Sequence, residues 1–367
     1  LKYVSEFREG NWVRALVREI QNAVSGRPLR FMEVCGTHTM SIYRHGIRSL
    51  LPKTIELISG PGCPVCVTPP GYIDLALQLS REEDTIITTF GDMVRVPGSD
   101  QSLADVRAGG ASVEVCYSPA DALQVARGRP DQRVVFLGVG FETTAPIVAG
   151  AILRAEEMSL GNFSVLSAHK LIPPAMKLLA ESGVALDGFL CPAHVSVIIG
   201  AEPYQFLAQQ YHLPCVVTGF EPSDILQGIW MLARQVEQGR AVVENQYSRA
   251  AKMDGNPRAL DAMEKVFEQV TSTWRGLGAI PGSGLRIRES YSVFDAERVF
   301  GVTPKEGKEP AGCRCGEVLR GLERPEQCPL FGTTCTPVAP VGPCMVSSEG
   351  ACAAAFKYGG MEQGGRA

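Results

Sequence analysis

The sequence predicts an α/β protein: two parallel-sheet domains facing a shared cleft, plus a third, mostly helical or irregular domain. Three observations carry that reading. Up to Arg240, short apolar runs end in Gly-rich turns and are each followed by a helix-like stretch, the pattern of strand–helix units that build parallel sheets. Cys, His and acidic residues gather in the turns that leave the strands. Beyond Arg240 the periodicity fades into a segment rich in Gly, Pro and Cys.

The elements follow in order. An amphipathic helix runs from Trp12 to Val24. Strands are expected at Arg30 to Val34, Thr54 to Ile58, Thr85 to Thr89, Ser112 to Cys116, Arg133 to Gly138, Phe163 to Ser167, Gly188 to Cys191 and Pro214 to Thr218. Between them lie helices from Thr37 to Leu51, Tyr72 to Arg81, Pro119 to Arg127, Thr144 to Met158, Pro173 to Glu181 and Asp224 to Gln238. So many strands fit one large doubly wound sheet or two smaller ones, and two are preferred, broken near Asp131. The resulting organisation is an N-terminal helix (1–27) packed on the third domain, two Rossmann-like domains (28–130 and 131–238), and a C-terminal domain (239–367). The last begins with two helical segments, continues through Gly276 to Leu285, and ends in a tail that needs a metal centre to supply its folding free energy.

Composition excludes several function classes. Hydrophobic residues make up 45% and charged residues 20% of 367, an ordinary globular balance. Lys and Arg number 35 against 39 Asp and Glu, a net charge of −4 with no basic run, which argues against nucleic acid as a partner. The longest apolar stretches, such as Val134 to Val139, fall far short of the about 20 residues of a membrane span. Leu1 to Gly10 carries charges where a signal peptide would be apolar, so a cytoplasmic address is expected. Twelve cysteines in such a chain point to metal or redox chemistry instead of a disulfide framework.

Read at the strand exits, the chemistry-bearing turns could meet in one cleft, because parallel α/β sheets place ligands outside the carboxyl ends of their strands. Cys35-Gly-Thr-His38 sets a thiol at a helix start, where the dipole favours thiolate, so Cys35 is a candidate nucleophile or soft metal ligand, and His38 a second ligand or proton carrier. Cys63-Pro-Val-Cys66 is a redox pair or half of a zinc site. Cys313, Cys328, Cys335 and Cys352, separated by 14, 6 and 16 residues, suit a 4Fe–4S cluster better than a zinc ribbon, which uses two short Cys knuckles. Spacing does not separate Cys313 from Cys315 as first ligand, and Cys344 has no assigned role. Asp92, Glu142, His169 and His194 are further strand-exit residues open to cleft or structural roles. Gly138-Val-Gly140-Phe-Glu-Thr143 lacks the third Gly of a dinucleotide fingerprint, and Gly301 to Lys308 fails as a P-loop.

Phe31-Met-Glu-Val-Cys35-Gly-Thr-His38-Thr-Met, Gly60-Pro-Gly-Cys63-Pro-Val-Cys66-Val-Thr, Gly140-Phe-Glu-Thr-Thr-Ala-Pro146, Pro192-Ala-His194-Val-Ser and Gly342-Pro-Cys344-Met-Val-Ser-Ser-Glu-Gly350 together resemble the HypD family of nickel–iron hydrogenase maturation factors. The resemblance spans nearly the whole chain. It implies a scaffold, and a metallocentre assembly factor with redox activity, on which the Fe(CN)2CO group of the hydrogenase is built in complex with HypC. Cyanide would come from HypE, itself charged by the carbamoyltransferase HypF. Cys35 would bind that iron with a cysteine of HypC, His38 close by. Cys63 and Cys66 would be a redox pair, and Cys313, Cys328, Cys335 and Cys352 would hold a 4Fe–4S cluster feeding it. The alternative from another class is a free-standing iron–sulfur thiol/disulfide oxidoreductase.

Overall fold

The computed structural model describes residues 10–24 and 26–363, so the charged stretch 1–9 lies outside the described residues. The strands are β1 (Leu29–Glu33), β2 (Ile55–Ser59), β3 (Thr85–Thr89), β4 (Val113–Val115), β5 (Arg133–Gly138), β6 (Phe163–Ser167), β7 (Gly188–Pro192), β8 (Cys215–Thr218), β9 (Val243–Asn245), β10 (Phe267–Trp274) and β11 (Gly278–Ile287). Two parallel sheets result, one in the order β2-β1-β7-β8-β9 and the other β4-β3-β5-β6, while β10 and β11 form an antiparallel hairpin. The α/β class with two parallel sheets is therefore as predicted.

The division between the sheets is not. Asp131 lies between β4 and β5, and β3 hydrogen-bonds to both, so the expected break cuts through one sheet. The second sheet is a continuous stretch inserted into the first, which resumes when β7 pairs with β1, Phe31 opposite Gly188. Parallel partners need a crossover connection, and nothing local in a strand records which earlier strand the crossover returns to. The N-terminal helix (Gly10–Asn22) is also placed differently. Its Leu16 and Ile20 share a core with Phe31 of β1 and with Ile225, Leu226 and Ile229 of the helix Pro222–Glu237, so it covers the first sheet and not the third region.

After Arg240 one of the two expected helices forms, Pro257–Val266, capped by the Asn256 side chain. Before the Gly276 turn no second helix follows; the chain instead enters strand β10, whose burial alternates between Phe267 and Trp274 with Val and Thr between, a period-two pattern. The expected helix 37–51 is interrupted at Gly46, which sits at φ +59°. Past 300 the chain is mostly irregular, apart from short helices such as Cys315–Leu319 and the closing helix Ala351–Gln363. One apolar core joins the parts: Met32 and Ile58 of the first sheet, Val135 and Leu137 of the second, and Cys315, Cys344 and Met345 of the tail. Among the described residues no helix is long and apolar enough to cross a membrane.

Candidate metal and thiol centre

β1 ends at Glu33, and the chain turns through Val34 so that Cys35 stands at the N-cap of the helix Gly36–Arg44. The loop leaving β2 lies directly over it. The Gly36 N–H donates to the Gly62 carbonyl at 2.8 Å, and a Cβ on Gly62 would stand 2.2 Å from the Cys35 nitrogen. From the tail, Glu349 presses on the other side, where a Cβ on Gly36 would stand 2.4 Å from the Glu349 Cβ. Two glycines thus let three chain segments close around one half-buried thiol.

That enclosure reverses the electrostatic expectation for Cys35. Burial first, then the Glu349 carboxylate, push its thiol up to about 12, and the amides of His38 and Thr37 offset this only in part. The helix start loses because it offers partial charges against full desolvation. Below the thiol, the Glu33 carboxylate is fully buried, accepting from the Cys35 N–H at 3.1 Å and from the Thr39 hydroxyl. Burial raises it to about 7. His38 is also fully buried. Its Nε2 lies 2.9 Å from the Thr218 carbonyl and 3.0 Å from that of Gly219; both can only accept, so Nε2 carries the hydrogen. Nδ1 is left as a buried lone pair with no partner among the described residues. Burial holds the ring neutral, its pKa lowered to about 4. The His38 ring therefore anchors the helix to the exit of β8, and only its backbone amide faces the Cys35 sulfur.

Cys63 caps the four-residue helix Pro64–Val67, its sulfur accepting from the Cys66 N–H at 3.3 Å. Burial raises the Cys66 thiol, but hydrogen bonds with Cys344 and Cys63 and the Arg275 charge outweigh it and bring the thiol down to about 6. Cys63 is pushed up by burial and by Cys66, so the pair divides into one thiolate and one thiol. The Cys344 thiol is buried beside those of Cys315, Cys352 and Cys66, and their proximity pushes its own titration up. It joins the Cys63–Cys66 pair to the thiols of the tail.

Those thiols surround a small apolar cavity lined by Cys313, Cys315, Cys328, Cys335, Cys344 and Cys352, closed by Leu330 and Phe331. Among the described residues no three His, Cys, Asp or Glu side chains converge on the position of a single metal ion. A ring of soft donors around a cavity fits a multinuclear cluster, which takes one thiolate at each of several irons, better than one tetrahedral zinc. Of the other strand-exit residues, Asp92 lies near enough to Cys66 and Glu349 to raise both, and His194 shares the Phe220 ring with His38. Glu142 instead caps the Ile172 N–H in the core at 2.9 Å, and His169 bonds Ser167 beside the hairpin. In the Gly140 turn, a Cβ on Gly140 would meet the Thr144 Oγ1 at 1.5 Å, so that turn is filled by its own side chain.

The HypD family model, described as the hydrogenase formation hypA family, matches residues 11–359. The chain belongs to the HypD family. The HypD relatives include the hydrogenase expression/formation protein HupD of Azotobacter chroococcum, 50% identical over 99% of this chain and 98% of that protein. The hydrogenase maturation factor HypD of Azotobacter vinelandii is 49% identical over 99% and 98%. That of Escherichia coli K12 is 44% identical over 98% of each.

In this HypD-family chain the sequence reading passed over two carboxylates. Glu33 was legible as an acid at the exit of a strand, next to the buried Phe31 and Met32, a position that burial makes costly unless it is used. Glu349 had no such signal, because it reaches Thr37 and Gly36 only through tertiary folding, its Oε1 accepting from the Thr37 hydroxyl at 2.7 Å.

Proposed function

We propose that this chain is a cytoplasmic hydrogenase maturation factor: a scaffold on which the Fe(CN)2CO group of nickel–iron hydrogenases is assembled, in complex with HypC and with cyanide delivered by HypE. Membership of the HypD family and relatives named hydrogenase maturation factors support the general role. The observation that carries the finer reading is the position of Cys344, which lines the thiol cavity of the tail with Cys315 and Cys352 and also lies close enough to Cys66 for each to shift the other's titration. The Gly60–Cys66 loop in turn lies over Cys35.

In this reading Cys35 is the iron anchor. Burial and the Glu349 carboxylate hold its proton on the thiol, so a bound cation would displace that proton. Soft thiolate suits a low-spin iron bearing cyanide and carbonyl. Cys313, Cys328, Cys335 and Cys352 hold the 4Fe–4S cluster, which when bound supplies single electrons. Cys315 and Cys344 line the same cavity, and Cys344 is the cavity thiol beside Cys66. Closing a disulfide from the Cys66 thiolate and the Cys63 thiol releases two electrons and one proton, and opening it takes them up again, so the pair can match one-electron supply to two-electron demand. Glu33 positions Cys35 by holding its N–H, and His38 ties the same helix to β8.

The test is infrared spectroscopy on protein purified anaerobically after co-expression with its maturation partners, where cyanide and carbonyl stretches fall in a window free of protein bands. Bands in the native protein that vanish in Cys35→Ala are expected. Their absence from native protein that carries its cluster and binds HypC would move ligand assembly to another protein.

A further inference from the structure

A second cleft, of about 340 Å3, opens where β6 leaves its sheet against the β10–β11 hairpin, and no cysteine lines it. Its position outside the carboxyl end of a parallel strand is the usual place for a ligand in such sheets, and its size is that of a small-molecule site. One wall is formed by β10 at the register shift between Val270 and Ser272, an irregularity of the kind that re-aims side chains.

The side chains in this cleft are not balanced among themselves. Lys170 is only 3% exposed, yet its ammonium donates to the Ser272 hydroxyl and forms no ion pair with the described residues. Asp295 and Glu297 line the same cleft beyond ion-pair reach of Lys170. Asp295 is partly compensated by Arg298 at 3.7 Å, whereas half-buried Glu297 has no ion-pair partner among the described residues. The Ser167 hydroxyl donates its single hydrogen to the Leu285 carbonyl at 2.9 Å and so accepts from His169 Nδ1 at 3.0 Å. His169 Nε2 is left as a buried acceptor with no partner among the described residues. Burial pushes the Lys170 amine down to about 8, and burial with the neighbouring Asp295 carboxylate pushes Glu297 up to about 7, offset only in part by Arg286, which lines the cleft but is ion-paired with Glu268.

We infer that this cleft binds a small zwitterion of the amino-carboxylate class, its carboxylate on Lys170 and Ser272 and its ammonium on Glu297. A simple anion would pair Lys170 and leave the carboxylate wall facing it, and a simple cation would do the reverse. A zwitterion compensates both walls without adding net charge, which is the cheapest way to satisfy two separated buried charges.

The experiment is calorimetric titration and thermal melting of the full chain with glycine, β-alanine, γ-aminobutyrate and 5-aminovalerate, with acetate and methylammonium as single-charge controls. One member of the series is expected to bind saturably and raise the melting temperature, with affinity falling about tenfold or more in Lys170→Met and in Glu297→Gln. Glu297→Gln is isosteric and only half-buried, so it decides the matter if Lys170→Met does not fold. No saturable binding by any zwitterion, acetate binding as well as the zwitterion, or undiminished binding in Glu297→Gln would each overturn the proposal.

Discussion

The two thiol regions of this molecule are held by opposite means. Around Cys35, Cys63 and Cys66 the side chains sit on the ends of paired parallel strands, and their positions are set by backbone ladders and by glycines that let loops touch. Around Cys313 to Cys352 there is almost no regular structure, and what closes the chain on itself is a ring of thiols about a cavity. The first region is built before any metal arrives. The second has little regular structure and rests on core residues such as Leu319, Met345 and Val346, so the cluster proposed for its thiols would add folding free energy where short irregular segments have least of their own.

The sharpest way to break that comparison is to remove the metal. Stripping the cluster anaerobically is expected to lower the cost of opening the segment 302–345 by several kcal/mol, roughly, since structural metal binding supplies folding free energy of that order or more. Limited proteolysis should then cut within that segment while far-ultraviolet circular dichroism stays near its native value. Unchanged protection of the tail would mean that its packing on the shared core suffices.

A second contrast sets steric against conformational glycine. Gly62→Ala drives a methyl group into the Cys35 backbone and is expected to cost about 3 kcal/mol in urea unfolding. Gly332→Ala in the tail meets nothing closer than 3.9 Å but sits at φ +70°, so only the left-handed backbone is penalised, by about 1 kcal/mol. Equal losses at the two sites would show that crowding around Cys35 is relieved by movement of the loop.

Removing the support beneath Cys35 is a smaller change. Glu33→Ala leaves the Cys35 N–H and the Thr39 hydroxyl without their acceptor, for a loss of about 1–2 kcal/mol. Glu33→Gln, which keeps one oxygen, should lose less, and a Gln variant as unstable as Ala would show that the ionisable oxygen itself matters.

The smallest effect is a slope. Folded His169 stays neutral down to about 3, whereas in the unfolded chain it takes up a proton near its ordinary 6.5. Between those values the unfolded chain binds the extra proton, so stability rises with pH across that window. His169→Asn should reduce the slope of the urea midpoint against pH by up to one proton in the accessible range, and parallel curves for the two proteins would show that His169 is solvated.

The sequence by itself determined the α/β class, the two parallel sheets and the soft-donor character of both thiol regions. Strand exits such as Thr85–Thr89 into Asp92 are written in periodicity, and thiol chemistry in residue type, both local properties. Helix Gly36–Arg44 was likewise legible from its strand-end turn, though not its early stop at Gly46. Only the tertiary structure decided which strands share a sheet, that Glu33 and Glu349 bracket Cys35, and that Cys344 bridges Cys66 to the tail. Those contacts join residues far apart in the chain, whose meeting depends on which crossover returns to which strand and on burial summed over the whole core. The same burial turned the expected thiolate at Cys35 into a tightly held thiol, because desolvation is a property of the enclosure and not of the residues that spell the motif.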